Sequence, residues 1–417
     1  MDVYVDGSGS MVGYLRGATA ERRPLQDLLA SLPMTTASGG TPGKVAYNLF
    51  GARVRPLDPA RADELVREAT YLCAGAVAGA CDNQESRLDA VLQRVAAAPS
   101  SSLAVIVTDL WLSTSELTAS GPVAVGGPVA QMLGEGRAVG VLGVRAPYSG
   151  PVYDLPNGGT YTGAAARPLF VLLIGPVDRV AGVRDSLAKA GVGGFGAPDA
   201  RFSLFTAQPF SGARAAATPL QVSGGAMVAR PVLPPKAGIP VQQLTLNAGA
   251  ALQERLRPGP AGPSAAVFNA TPEAAMRTGA VWSGPAQGST KVWRLNGGSP
   301  CAPTAWTPLA DYPSGWSGQT FTLAAADASA RLPKGGTYLL AGSLRRTGLD
   351  APNPANAWMR DWSFNPSTAS AVLAAKPAMF PTLHLAETAT ILETALDQAA
   401  RAKPAELAGF TAVVRVD

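Results

Sequence analysis

Val3-Tyr4-Val5-Asp6-Gly7-Ser8-Gly9-Ser10-Met11 is the stretch on which the reading of the chain turns. Apolar residues run into an Asp, and two hydroxyls follow, spaced by glycines. The pattern predicts a buried strand ending at Asp6 and a tight loop after it, with Gly7 and Gly9 permitting the backbone to fold closely. Asp6, Ser8 and Ser10 alternate, so one turn aims all three side chains at a common point. A carboxylate and two hydroxyls are hard oxygen donors, the set that Mg²⁺ or Mn²⁺ prefers. One competing expectation is an ordinary Asp-Gly-Ser-Gly turn, and a second is a fold that keeps this loop but binds no ion, with Ser8 and Ser10 capping a helix.

Outward from this stretch, strands and helices alternate. Glu21 to Leu32 predicts a helix with Leu25, Leu28, Leu29 and Leu32 on one face. Val45 to Phe50 and Ala52 to Pro56 predict a strand pair, and Pro59 to Leu72 a helix. Ser86 opens Ser-Arg-Leu-Asp-Ala-Val-Leu, the start of a helix over Arg87 to Ala97. Leu103-Ala104-Val105-Ile106-Val107 is a continuous apolar run of the kind buried in parallel sheets, and it ends in Thr108-Asp109-Leu110. A second buried strand therefore ends in an Asp, and ligands of doubly wound sheets sit at strand carboxyl ends. Pro128 to Leu133 reads as a short helix with its proline in the first turn. Ala138 to Val144 and Leu169 to Ile174 read as further strands, and Val177 to Ala190 as a helix. Together these predict a parallel α/β sheet over about the first 195 residues.

The three loops, in their order, resemble the metal-ion-dependent adhesion site (MIDAS) of von Willebrand factor A (vWA) domains. That family takes Asp-x-Ser-x-Ser from a first loop, matched by Asp6, Ser8 and Ser10. It takes a Thr before a helix from a second, matched by Ser86, and an Asp after a buried strand from a third, matched by Asp109. Two departures stand out: Ser86 replaces the Thr, and Leu110 replaces the Gly that often follows the last Asp. The resemblance implies a doubly wound, Rossmann-like domain. It also implies a Mg²⁺ site (Mn²⁺ or Ca²⁺ as alternatives) held by Asp6, Ser8, Ser10, Ser86 and Asp109. Such a site keeps a coordination position open, which a Glu or Asp of a protein partner fills.

At 417 residues the chain is long enough for two or three domains. Apolar residues make up 47% and charged ones only 15%, against the composition of disordered chains. The formal net charge of +5 is spread along the sequence without a basic run, so no nucleic-acid partner is expected. No charge-free apolar run of membrane-spanning length occurs. No signal-peptide pattern opens the sequence, and a leader or tether ahead of residue 1 is an expectation for the full-length gene to settle. Cys73 and Cys81 flank a flexible Ala/Gly segment and Cys301 stands apart. A Cys73–Cys81 disulfide implies an oxidising compartment, and two buried thiols are the alternative. The single histidine, His384, and the absence of a G-x-S-x-G elbow, a Walker loop or a G-x-G-x-x-G after a strand argue against most enzyme classes.

Residues 145–167 read as a hairpin insertion whose Tyr148, Tyr153 and Tyr161 either line a partner surface or pack locally. From 198 on, short alternating runs between Gly, Pro, Asn and Ser clusters predict an antiparallel β-sandwich, and the phrase Leu332 to Tyr338 resembles the late strands of Ig-like domains. Of Trp282, Trp293, Trp306, Trp316, Trp358 and Trp362, most are expected in its core, with a sugar-binding platform as the alternative. Ala386 to Ala402 reads as a helix, and Ala412 to Val416 as a last strand that returns to either domain. The expected organisation is thus α/β plus all-β: a vWA domain over 1–197 and a β-sandwich with a C-terminal helix and strand over 198–417. The function expected is a metal-dependent protein-binding module for adhesion or complex assembly in a bacterial-type system, and not an enzyme. Periplasmic or extracellular location is expected, with the cytoplasm as the alternative. A metal-free scaffold and a metal-dependent hydrolase are the competing expectations, and the oligomeric state is left open.

Overall fold

The computed structural model describes residues 1–35, 44–72, 85–110, 121–155, 159–191, 194–196, 198–207, 220–231, 241–256, 264–269, 279–281, 284–297, 302–309 and 315–417. The three cysteines, Trp282 and the Pro-rich stretch 232–240 lie outside them. Two units emerge: residues 1–208, 278–283 and 349–403 form the first, and residues 209–277, 284–348 and 404–417 the second.

The first unit is built on an eight-stranded sheet. Its strands are β1 (Asp2–Asp6), β2 (Ala46–Phe50), β3 (Val54–Leu57), β4 (Ala104–Thr108) and β5 (Ala138–Pro147). The hairpin β6 (Pro151–Leu155) and β7 (Gly159–Thr162) forms a separate two-stranded sheet among the described residues. The sheet resumes with β8 (Ala166–Gly175), β9 (Ala200–Thr206) and a short edge strand, Ala280–Val281. Across the sheet the order is Ala280–Val281, β9, β5, β8, β4, β1, β2, β3. β1 runs parallel to both β2 and β4.

The expected all-parallel sheet is not what forms. β8 is antiparallel to both β4 and β5, and β3 and β9 are antiparallel to their neighbours β2 and β5. The reason is the connection: β5 reaches β8 through the 145–167 hairpin, with no crossover helix to bring the chain back in the same direction. A continuous apolar run such as Leu169 to Ile174 satisfies burial on both faces whichever way it points.

Both faces of the sheet are covered. Tyr4, Ile106, Val141, Phe170 and Leu172 meet Val91, Leu92 and Val95 of the helix Leu88–Ala97, and Met132 and Leu133 of the helix Gly121–Gly134. The latter helix begins well before the expected start, with Pro128 inside it. Leu385, Leu392 and Leu396 of the helix Leu385–Ala402 complete this layer, as does Trp358. The C-terminal helix expected with the β-sandwich therefore packs within the first unit. So do Trp358 and Trp362, which meet edge to face at 5.1 Å. The alternate residues Val3, Val5, Val105 and Val107 are fully buried on the opposite face.

The second unit is made of two sheets sharing one core. The four-stranded sheet supplies Phe268 and Phe321, and the six-stranded sheet supplies Tyr338, Leu340, Phe410 and Val414. Trp316 closes on this cluster, 5.6 Å from Phe321 between ring centroids. This is a sandwich, though not a wholly antiparallel one, since Val241–Leu246 pairs in parallel with the last strand, Glu406–Val416. No helix among the described residues is long and apolar enough to cross a membrane.

Candidate metal centre

Pairing of β1 with β4 sets the site. Val5 lies opposite Val107, so Asp6 and the Thr108-Asp109 pair leave the sheet side by side at its carboxyl edge. The Ser86 segment is brought to the same edge by the Arg87 N–H, which donates to the carbonyl of Gly51 just beyond β2. Of the five residues expected from the sequence, Asp6, Ser8, Ser10 and Ser86 are connected by hydrogen bonds.

Asp6 is the hub. Its side chain is fully buried and accepts three hydrogen bonds. The Ser8 N–H donates to Oδ1 at 2.8 Å, while Ser86 Oγ at 2.5 Å and Thr108 Oγ1 at 2.7 Å both donate to Oδ2. The hydroxyls of Ser8 and Ser10 lie 3.0 Å apart. Ser8 precedes the short 3₁₀ helix Gly9–Met11 but makes no side-chain capping bond to it, so the capping alternative is not how this hydroxyl is used. Despite the three bonds, burial first and the nearby Asp109 charge second push the Asp6 carboxyl up to about 6. Tyr71 is raised as well, by burial and then by the charge on Asp6.

Thr108 is the last residue of β4, directly before Asp109. Here its hydroxyl ties two groups together: it donates to Asp6 and accepts the Leu110 N–H at 3.0 Å. Leu110 adopts a left-handed backbone, φ 49°, and is buried. That conformation favours glycine, and a non-Gly residue there carries strain of order 1 kcal/mol or more.

Arg167 is the residue that sequence reasoning missed. It is the second residue of β8, and because β8 runs antiparallel to β4 its start lies at the same edge as Asp109. Its guanidinium approaches Asp109 Oδ2 at 3.3 Å, with both side chains almost completely buried at 1% and 2% exposure. Arg167 also lies over the Tyr148 ring, 4.9 Å from its centroid. The tyrosine is buried, donates to the Pro151 carbonyl at 2.8 Å and meets Tyr14 edge to face at 5.1 Å. Tyr14 in turn donates to the Pro168 carbonyl at 2.6 Å. Glycines make this approach possible: a Cβ on Gly13 would fall 2.2 Å from the Tyr148 ring, and one on Gly17 2.5 Å from its backbone. Of the other two hairpin tyrosines, Tyr161 stacks on Phe380 at 4.9 Å and Tyr153 is 48% exposed.

Among the described residues no three His, Cys, Asp or Glu side chains gather as a metal-binding group. A cation at this edge would depend on hydroxyls beside the two carboxylates. The donors present are all hard oxygens, which suits Mg²⁺ or Mn²⁺ and not a soft metal. Against this, Arg167 already offers Asp109 a positive charge. In comparisons with known proteins, the chain matches no family model, no curated protein and no solved structure.

Proposed function

We propose that the first unit is a metal-dependent protein-binding module of the vWA type, serving adhesion or complex assembly. The observation that carries this reading is the convergence on Asp6. Hydroxyls from two distant segments, Ser86 and Thr108, donate to one carboxylate whose negative charge is raised in energy first by burial and then by Asp109. A site arranged in this way favours a cation over its absence. The left-handed backbone at Leu110 supports the family likeness, because the residue stands where vWA domains often carry glycine.

In this reading Asp6 is the principal anionic ligand. Ser8, Ser10 and Ser86 supply hydroxyl donors, with Thr108 holding Asp6 in place. Asp109, shared with Arg167, contributes charge. When bound, a divalent ion of this class offers an open coordination position that a partner's Glu or Asp fills. Leu72 and Tyr153 are exposed apolar side chains on elements that touch the Gly9–Met11 turn.

A metal-free scaffold is the second reading, and the Arg167–Asp109 pair favours it, because a guanidinium supplies part of the positive charge that an ion would. Thermal melting in chelator and in increasing Mg²⁺ separates the two. At a concentration 100 times the dissociation constant, binding adds about 2.7 kcal/mol, or roughly 5–10 °C for a unit of this size. Asp6→Ala is expected to abolish the shift. A wild-type melting temperature that ignores Mg²⁺ favours the scaffold.

A further inference from the structure

The placement of Arg167 has a consequence for any cation at this edge. The guanidinium is permanently charged, nearly inaccessible to solvent and 3.3 Å from Asp109. It is held there from three sides: by the strand β8 that carries it, by the Tyr148 ring beneath it, and by the Tyr14 bond to the adjacent Pro168. We propose that Arg167 is an internal counter-cation that competes with the divalent ion for Asp109 and thereby sets the site's affinity. It is a positioning residue, acting through Asp109, and the proposal rests on the cation reading of the site.

The physical basis is charge. Two carboxylates without Arg167 present a net −2 to an ion, whereas with it they present −1. In a buried setting, where solvent screens little, that difference changes affinity strongly. A weakened site releases its ion readily and leaves the ion less neutralised by the protein, so that a partner's carboxylate has more charge to meet. Arg167 would then trade resident affinity for dependence on the acidic partner.

The test is Mn²⁺ binding to the full chain, followed by electron paramagnetic resonance of the free ion, in the wild type, Arg167→Met and Arg167→Lys. Arg167→Met is expected to tighten binding by about tenfold or more. Arg167→Lys, which keeps the charge, is expected to stay within about threefold of the wild type. A merely structural arginine predicts the opposite, since damage to the site weakens binding. In an Asp109→Asn background the gain from Arg167→Met is expected to shrink, and an undiminished gain would overturn the role through Asp109. Should Arg167→Met fold only when Mn²⁺ is present, the ion has replaced the guanidinium and the proposal is supported. Failure to fold even in saturating Mn²⁺ overturns it. If the wild type binds Mn²⁺ and Arg167→Met binds no more tightly, the competition is wrong while the cation reading stands. If neither binds at millimolar Mn²⁺, both fall.

Discussion

At the scale of residues, Asp6 dominates the site's electrostatics. Its carboxyl is raised to about 6 from an ordinary value near 4, so between these limits the folded chain holds a proton that the unfolded chain has lost. Stability of the metal-free protein is therefore expected to fall as pH rises from about 4 to about 6, by up to roughly 3 kcal/mol from this group. The sign is opposite to that of a salt-bridged carboxylate. Urea unfolding in chelator across this window checks it. Asp6→Asn, which cannot ionise, is expected to flatten that component of the slope, and an unchanged slope would place the titration elsewhere. The local spacing of Asp6, Ser8 and Ser10 and the strand-end position of Asp109 made these residues legible in the sequence. Arg167 was not legible, because an arginine is among the residues least expected to be fully buried and it stood at the end of an apparent surface hairpin.

At the scale of elements, the direction of β8 decides what reaches the site. A parallel strand would bring its carboxyl end to the edge where Asp6 and Asp109 lie, whereas the antiparallel β8 brings its start, and with it Arg167. The apolar run of β8 reveals burial but carries no mark of direction, so the strand was foreseeable and its orientation was not. The short helix Val12–Arg16 must also sit close under Tyr148. Gly13→Ala would drive a methyl into the ring and is expected to cost about 1–3 kcal/mol. By loosening the Tyr148 support of Arg167 it should also strengthen Mg²⁺ protection of the folded variant, since Arg167 competes with the ion. Gly182→Ala serves as the contrast: it lies within the helix Val177–Ala190 with open space where the methyl would go, and is expected to stabilise by roughly 0.5–1 kcal/mol. Chemical denaturation of both variants decides this, and equal effects would argue against a close Gly13–Tyr148 approach.

At the scale of the whole molecule, the chain is not partitioned by a single cut. The strand Ala200–Thr206 and the helix Leu385–Ala402 contribute to the first unit, whereas the final strand Glu406–Val416 belongs to the second. Composition shifts near residue 198 mark a change in texture, and amphipathic periodicity finds the C-terminal helix. Neither says which sheet the apolar face will cover, because burial against any apolar surface satisfies the same pattern. Segments ending β1, preceding the helix Leu88–Ala97 and ending β4 converge on Asp6, where we propose that they hold a single divalent cation. Equilibrium dialysis of the intact protein against Mn²⁺ at pH 7.5 tests it most directly, with circular dichroism to show that the variant is folded. The account predicts one ion per wild-type chain and none for folded Asp6→Ala. Equal occupancy in the two proteins, or none in the wild type at millimolar Mn²⁺, would contradict it.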